Sequence, residues 1–228
     1  EAPPDQLIGG IWDSARFVIA ADESGQLLWY DPVLQTVGSG SAAVTDTAVA
    51  GGFTLYSTVV PDPLPAGYDG IIATCSMTGT VSQRDTLTVS VVCTRPDGTD
   101  FLTENDIAMT YAAVYNRGSG LDLVTGMYQV GADVLDVAAD GMVFLQEAAT
   151  ACALTGQISV ADPAFNLYDV SLTVTNCVGA FVPRNGTLFS GYAVLDDEIN
   201  PGTEVLYILA IGDRAGIGFG LQLEGTRI

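Results

Sequence analysis

The sequence predicts an all-β chain: two tandem homologous antiparallel modules, best read as up-and-down β-barrels, each with one internal disulfide. Three observations lead there. Apolar residues fall at every second position, as in Thr86–Val91, Leu167–Val174 and Gly218–Glu224, and no stretch keeps a 3.6-residue stripe. Turn formers recur at short intervals, at Asp22–Gly25, Pro96–Gly98, Arg184–Gly186 and Pro201-Gly202. The text also repeats: Cys75-Ser-Met-Thr-Gly-Thr-Val-Ser82 matches Cys152-Ala-Leu-Thr-Gly-Gln-Ile-Ser159, and Thr86–Cys93 matches Ser171–Cys177. Gly10-Ile11-Trp12 and Gly25 keep the same spacing as Gly126-Met127-Tyr128 and Gly141.

The elements follow in chain order. Gly10-Ile11-Trp12 opens the first module, residues 1–118, and Trp29-Tyr30 lies on the strand after the Gly25 turn. An insertion at about 31–68, without counterpart in the second module, reads as a hairpin. Its strands are Ser41–Val49 and Phe53–Val60, its turn Gly51-Gly52, and its exit is stiffened by Pro61, Pro63 and Pro65. The strands of Cys75 and Cys93 meet at Gln83–Asp85, and Asp106–Tyr115 suits a strand better than a helix. Asn116–Gly120 links to the second module, residues 119–228. There Ala132–Ala139 again suits a strand, and Asp162–Tyr168 lengthens the loop between the cysteines. About eight strands per module fit a closed barrel better than a sandwich.

Gly10-Ile11-Trp12 resembles the glycine-x-tryptophan start of lipocalin-type barrels, in which the ring plugs one end. Gly126-Met127-Tyr128, Cys152–Gly156, Asn166–Val174, Gly191–Asp196 and Leu206–Ile211 together resemble an uncharacterised family of bacterial secreted or surface lipoproteins, mainly over 108–228. The resemblance implies an exported two-module β protein and carries no activity or site residues. The chain starts at Glu1 with no basic-then-apolar leader, as expected of a mature chain whose targeting segment has been removed.

Composition removes several function classes. The chain has 228 residues, 27 acids and seven basic residues, all arginine, for a net charge of −20. Such a surface repels nucleic acid and anionic lipid. No apolar run is long enough to cross a bilayer as a helix. Without histidine the commonest general base and metal ligand are missing, and without lysine so is the Schiff-base nucleophile. No Gly-x-Ser-x-Gly elbow occurs, and no spacing singles out a carboxylate pair. The expectation is no enzyme and no catalytic residue.

The remaining candidates are few. Cys75 with Cys93 and Cys152 with Cys177 are expected to pair within modules, which implies an oxidising, exported setting. Asp196, Asp197, Glu198 and Asn200, with Asp133, Asp136 and Asp140, offer oxygens that calcium could use, but the bland reading is solvated turns. Asn185-Gly186-Thr187 matches a glycosylation sequon and reads as a hairpin turn. Trp29 and Tyr30 point to opposite strand faces, so one could be exposed and stack on a sugar or a protein; burial of both is the competing reading.

The function expected is structural: an extracellular or cell-surface protein that associates with itself through sheet edges and its N-terminal segment. Sheet edges are commonly guarded by lysine, which is absent here. Glu1, Ala2, Pro3, Pro4, Asp5 and Gln6, with Trp29 and Tyr30, are the expected assembly residues. The competing reading is a lipocalin-like binding protein for a small apolar ligand or carbohydrate. Large inward candidates such as Leu154, Leu172, Leu195 and Phe219 argue for filled interiors instead.

Overall fold

Alternating apolar positions bury one face of strands such as Thr86–Thr94 and Tyr168–Thr175, and two sets of eight strands close into barrels. The structure, a computed structural model, describes residues 7–61, 64–200 and 203–228, with only the backbone at 198–200. Glu1–Gln6, Asp62 and Pro63, and Pro201-Gly202, where the sequence predicts a turn, lie outside the described residues. The first barrel is a meander of β1 (Gly10–Asp13), β2 (Val18–Ala21), β3 (Gln26–Asp31), β4 (Thr36–Thr45), β5 (Ala48–Ser57), β6 (Ile71–Ser82), β7 (Thr86–Thr94) and β8 (Asp100–Tyr111). The second comprises β9 (Gly126–Val130), β10 (Asp133–Val137), β11 (Met142–Gln146), β12 (Ala153–Val160), β13 (Tyr168–Thr175), β14 (Leu188–Asn200), β15 (Thr203–Arg214) and β16 (Ile217–Arg227). Helical structure is limited to the one-turn α1 (Leu121–Val124) and 3-10 turns at Ala113–Asn116 and Gly179–Arg184.

The chain divides into two compact units. The first runs to Ser57 and resumes over Gly70–Ala113; the second takes Val114–Ile228 together with Thr58–Asp69. The stretch after β5 thus packs with the second barrel, where Val60 joins the core and Leu64 packs against it.

Each core follows from the period of two. In β7, Leu87, Val89, Val91 and Cys93 turn inward. They meet Trp12, Trp29, Phe53 and Met77, each contributing about 1.5–3 kcal/mol by leaving water. The opening motifs seal comparable places. Trp12 Nε1–H donates to the Ile8 carbonyl at 2.8 Å, and the Tyr128 hydroxyl donates to the Val124 carbonyl at 2.8 Å. A polar ring atom four residues on from its acceptor is kept in both modules.

The expected hairpin insertion is β4–β5, but its turn is not at Gly51-Gly52. It falls at Asp46-Thr47, where Asp46 has φ +57°. Gly51 and Gly52 lie inside β5 because the sheet is tight there: a Cβ on Gly51 would stand 2.4 Å from the Ser41 carbonyl oxygen. The Asp106–Tyr115 stretch is strand only to Tyr111 and then enters the 3-10 turn.

Both disulfides form within modules, Cys75–Cys93 and Cys152–Cys177. Cys75 and Cys93 face each other across the sixth and seventh strands of the first barrel. Cys152 and Cys177 flank the fourth and fifth strands of the second. Their strand numbers differ because β4–β5 precedes the pair in one module, while β15–β16 follows it in the other.

Candidate functional site

Closure is narrow in both barrels. β1 meets β8 only through Trp12↔Tyr111 and Asp13↔Thr110, and β9 meets β16 only through Gln129↔Thr226 and Tyr128↔Arg227. The last strand of each barrel is 11 or 12 residues long and therefore outruns its short neighbour. Its outer backbone must find other partners or water.

On β16 the partners are visible. The Gly218 N–H donates to the Asp69 carbonyl at 2.7 Å, so the Asp69 end of the Thr58–Asp69 stretch meets this edge. Arg184 supports the same arrangement, its Nη2 donating to the Thr58 carbonyl at 2.6 Å and, longer, to the Gly220 carbonyl at 3.5 Å. On β8, Asp100–Met109 has β7 on one side and, among the described residues, no strand on the other. Asp100, Thr103, Asn105, Asp106 and Ala108 are exposed there. Asp106, with φ +52°, sits where the pairing with β7 shifts register.

The rim made by the loops after odd-numbered strands also differs between the barrels. In the first it is plugged. Phe17, Trp29 and Phe53 stack with centroids 4.8 and 5.0 Å apart. Arg16, on the β1–β2 loop, pairs with Asp31 at 2.7 Å and Glu104 at 2.9 Å, and Asp31 is 1% exposed. In the second barrel the same rim holds a cavity of about 260 Å³. Leu145, Leu154, Val174 and Leu221 form apolar wall, and Asp133, Glu147 and Arg184 bring charge.

Arg184 is held by the 3-10 turn between β13 and β14 and is only 9% exposed. Its guanidinium lies 5.7 Å from the ring centroids of both Phe181 and Phe219. Among the described residues Nε has no hydrogen-bond partner, and no carboxylate comes within salt-bridge distance. Burial pushes its pKa below the ordinary arginine value, against the opposing fields of Glu147 and Tyr68. Glu147 accepts from the Thr150 hydroxyl, and Asp133 Oδ1 accepts the Ala148 N–H at 3.1 Å.

The sequence candidates fall as follows. Trp29 is 1% exposed, so it cannot serve as an assembly contact: the Phe17 and Phe53 rings need it in the core. Tyr30 is half-buried. The assembly residues Glu1–Gln6 lie outside the described residues. Asp197 pairs with Arg117, Asp140 caps the Met142 N–H at 3.1 Å, and no group of three His, Cys, Asp or Glu gathers among the described residues. The Asn185 side chain is spent on its own turn, accepting from Cys177 N–H at 2.7 Å and donating to the Cys177 carbonyl at 3.0 Å. Arg184 was legible only as a turn residue. Its signal was being one of seven cations in a chain of charge −20, next to the apolar run Phe181-Val182-Pro183.

No protein-family model matches the chain, and no curated protein does. The two disulfides fit an oxidising compartment outside the reducing cytosol. No helix among the described residues is long and apolar enough to cross a membrane.

Proposed function

We propose that the chain is a non-enzymatic structural protein, secreted or displayed on the cell surface, that associates with copies of itself through the outer edge of β8 and the N-terminal segment Glu1–Gln6 of a neighbour. The observation that carries this reading is the contrast between the two last strands. The β16 edge has a partner in the Thr58–Asp69 stretch, which contains Pro61 and Pro65 and whose Asp69 carbonyl accepts the Gly218 N–H, whereas Asp100–Met109 of β8, the other last strand, has no strand beside it among the described residues. A proline-bearing segment already serves as a cover once in this molecule, and Glu1–Gln6, with Pro3 and Pro4, is a second such segment in composition. Strand addition would give it main-chain hydrogen bonds along β8.

Two further features support association. Met127 (51% exposed), Phe144 (48%) and Met142 (58%) share the outer face of β9 and β11, flanking Asp136, and form an apolar strip on an otherwise acidic surface. Asp100 and Asp106 on the β8 edge repel a neighbour of like charge, so association strengthens as salt or calcium screens them. The resemblance to bacterial surface lipoproteins accords with this setting. A head-to-tail contact of this kind need not close and builds a filament.

Sedimentation velocity and negative-stain microscopy of the chain in low and high salt test the proposal. Assembly in high salt is expected, with loss of it on deleting residues 1–9 and in Thr103→Pro, which places a ring without an N–H on the β8 edge. A monodisperse monomer at high concentration in both salt and calcium overturns it.

A further inference from the structure

The cavity at the rim of the second barrel has no part in self-association, and its chemistry is specific. Arg184 is more than nine-tenths buried, lines the cavity, and has an unpartnered Nε. Leaving a buried donor unmade is costly, and a charged donor more so, unless something else supplies the acceptor. Arg16 also has an unpartnered Nε, but two carboxylates neutralise its guanidinium and its side chain is 30% exposed. Among the described residues Arg184 has only carbonyl acceptors.

The acceptor that fits is constrained by the other charges. Asp133 and Glu147 line the same cavity, and neither has a cation within 4 Å among the described residues. Their hydrogen bonds to Ala148 and Thr150 hold the carboxylates in place without neutralising them. A bare anion reaching Arg184 would meet two negative groups inside a molecule of charge −20. A bare cation would leave Arg184 Nε unanswered. A molecule carrying both an anionic oxygen group and an ammonium satisfies both requirements, and the aliphatic wall of Leu145, Leu154, Val174 and Leu221 requires an apolar remainder. A volume of about 260 Å³ falls below the roughly 300 Å³ at which drug-sized sites begin, which excludes a long acyl chain.

We propose that this cavity binds a small zwitterion with an apolar side chain, of the class of the free aliphatic amino acids: its carboxylate meets Arg184, its ammonium meets Glu147 and Asp133, and its side chain meets the leucine and valine wall. The site is independent of the β8 edge, so binding and assembly can fail separately.

Isothermal titration of the whole chain with three probes of one size tests this: L-leucine, 4-methylpentanoate (lacking the amine) and 3-methylbutylamine (lacking the carboxylate). Leucine is expected to bind at least ten-fold more tightly than either analogue, and Arg184→Gln and Glu147→Gln are each expected to weaken leucine by at least ten-fold. The probe comparison uses the unaltered protein, so it decides even if Arg184→Gln does not fold. Three outcomes overturn the proposal: no leucine binding at millimolar concentration, 4-methylpentanoate binding as tightly as leucine, or leucine binding that folded Glu147→Gln leaves intact.

Discussion

Arg16 and Arg184 sit at the same rim of two homologous barrels, and the molecule treats them in opposite ways. Arg16 meets Asp31 and Glu104 beneath a plug of Phe17, Trp29 and Phe53. Arg184 is deeper, meets only carbonyl oxygens among the described residues, and borders a cavity. The last strands invert the pattern: the barrel with the open rim has a partner for its final edge in Asp69, and the barrel with the plugged rim has a long edge without a second strand among the described residues. Two barrels of one architecture thus place their unsatisfied chemistry differently. Such places, rather than the cores, are where function is to be sought.

The comparison can be broken at several points. The largest effect is expected in the plug. Trp29→Ala removes the ring between Phe17 and Phe53 and is expected to cost about 3–5 kcal/mol in denaturant unfolding. Leu154→Ala, whose side chain already borders empty space, is expected near about 2 kcal/mol. Equal losses would mean that the two rims are packed alike. Next come the arginines. Arg16→Met leaves Asp31 buried and unpaired and is expected to cost about 3 kcal/mol, whereas Arg184→Met strands no carboxylate in salt-bridge contact and is expected to cost less than about 1 kcal/mol. Equal costs in chemical denaturation would show that Arg184 is structural.

The smallest effect concerns alkali. Burial raises the pKa of Tyr68, Tyr128 and Tyr168 in the second unit and of Tyr111 in the first. A raised tyrosine pKa means that the folded state keeps its proton longer than the unfolded chain. The stability it contributes is fully present below the unfolded value of about 10 and is lost as pH rises from there through the folded value. Unfolding followed from pH 9 to 12 is therefore expected to weaken progressively above about pH 10. Tyr128→Phe is expected to flatten that decline more than Tyr111→Phe, because the Val124 carbonyl accepts from the buried Tyr128 hydroxyl and so holds its proton, an effect that Arg227 opposes in part.

Much of the fold was readable because a period of two and a repeated text are local signals. The cysteine pairs, the β4–β5 insertion and strands such as Thr86–Val91 all follow from them. The hairpin turn was misplaced because Gly51-Gly52 mimics a turn signal while meeting a packing need, and Asp46 can adopt positive φ without being glycine. The burial of Trp29 depends on Phe53, which is distant in sequence, so no local pattern distinguishes it from an exposed ring. Arg184 was hidden for the same reason: its cavity is assembled from six strands, a 3-10 turn and Thr58. Nor does sequence alone show that Thr58–Asp69 dresses β16 rather than its own barrel.

Amide hydrogen exchange tests the central claim most directly, because it reads the two last strands in the same sample. In dilute, low-salt protein the account predicts protection of the outward Gly218 amide of β16, which donates to the Asp69 carbonyl, and faster exchange of the outward amides over Asp100–Met109 of β8. On assembly in high salt it predicts new protection at Asp100–Met109 and none of comparable size on β16. Protection of β8 already equal to that of β16 in the dilute monomer, or assembly that leaves Asp100–Met109 exchanging as before, would contradict it.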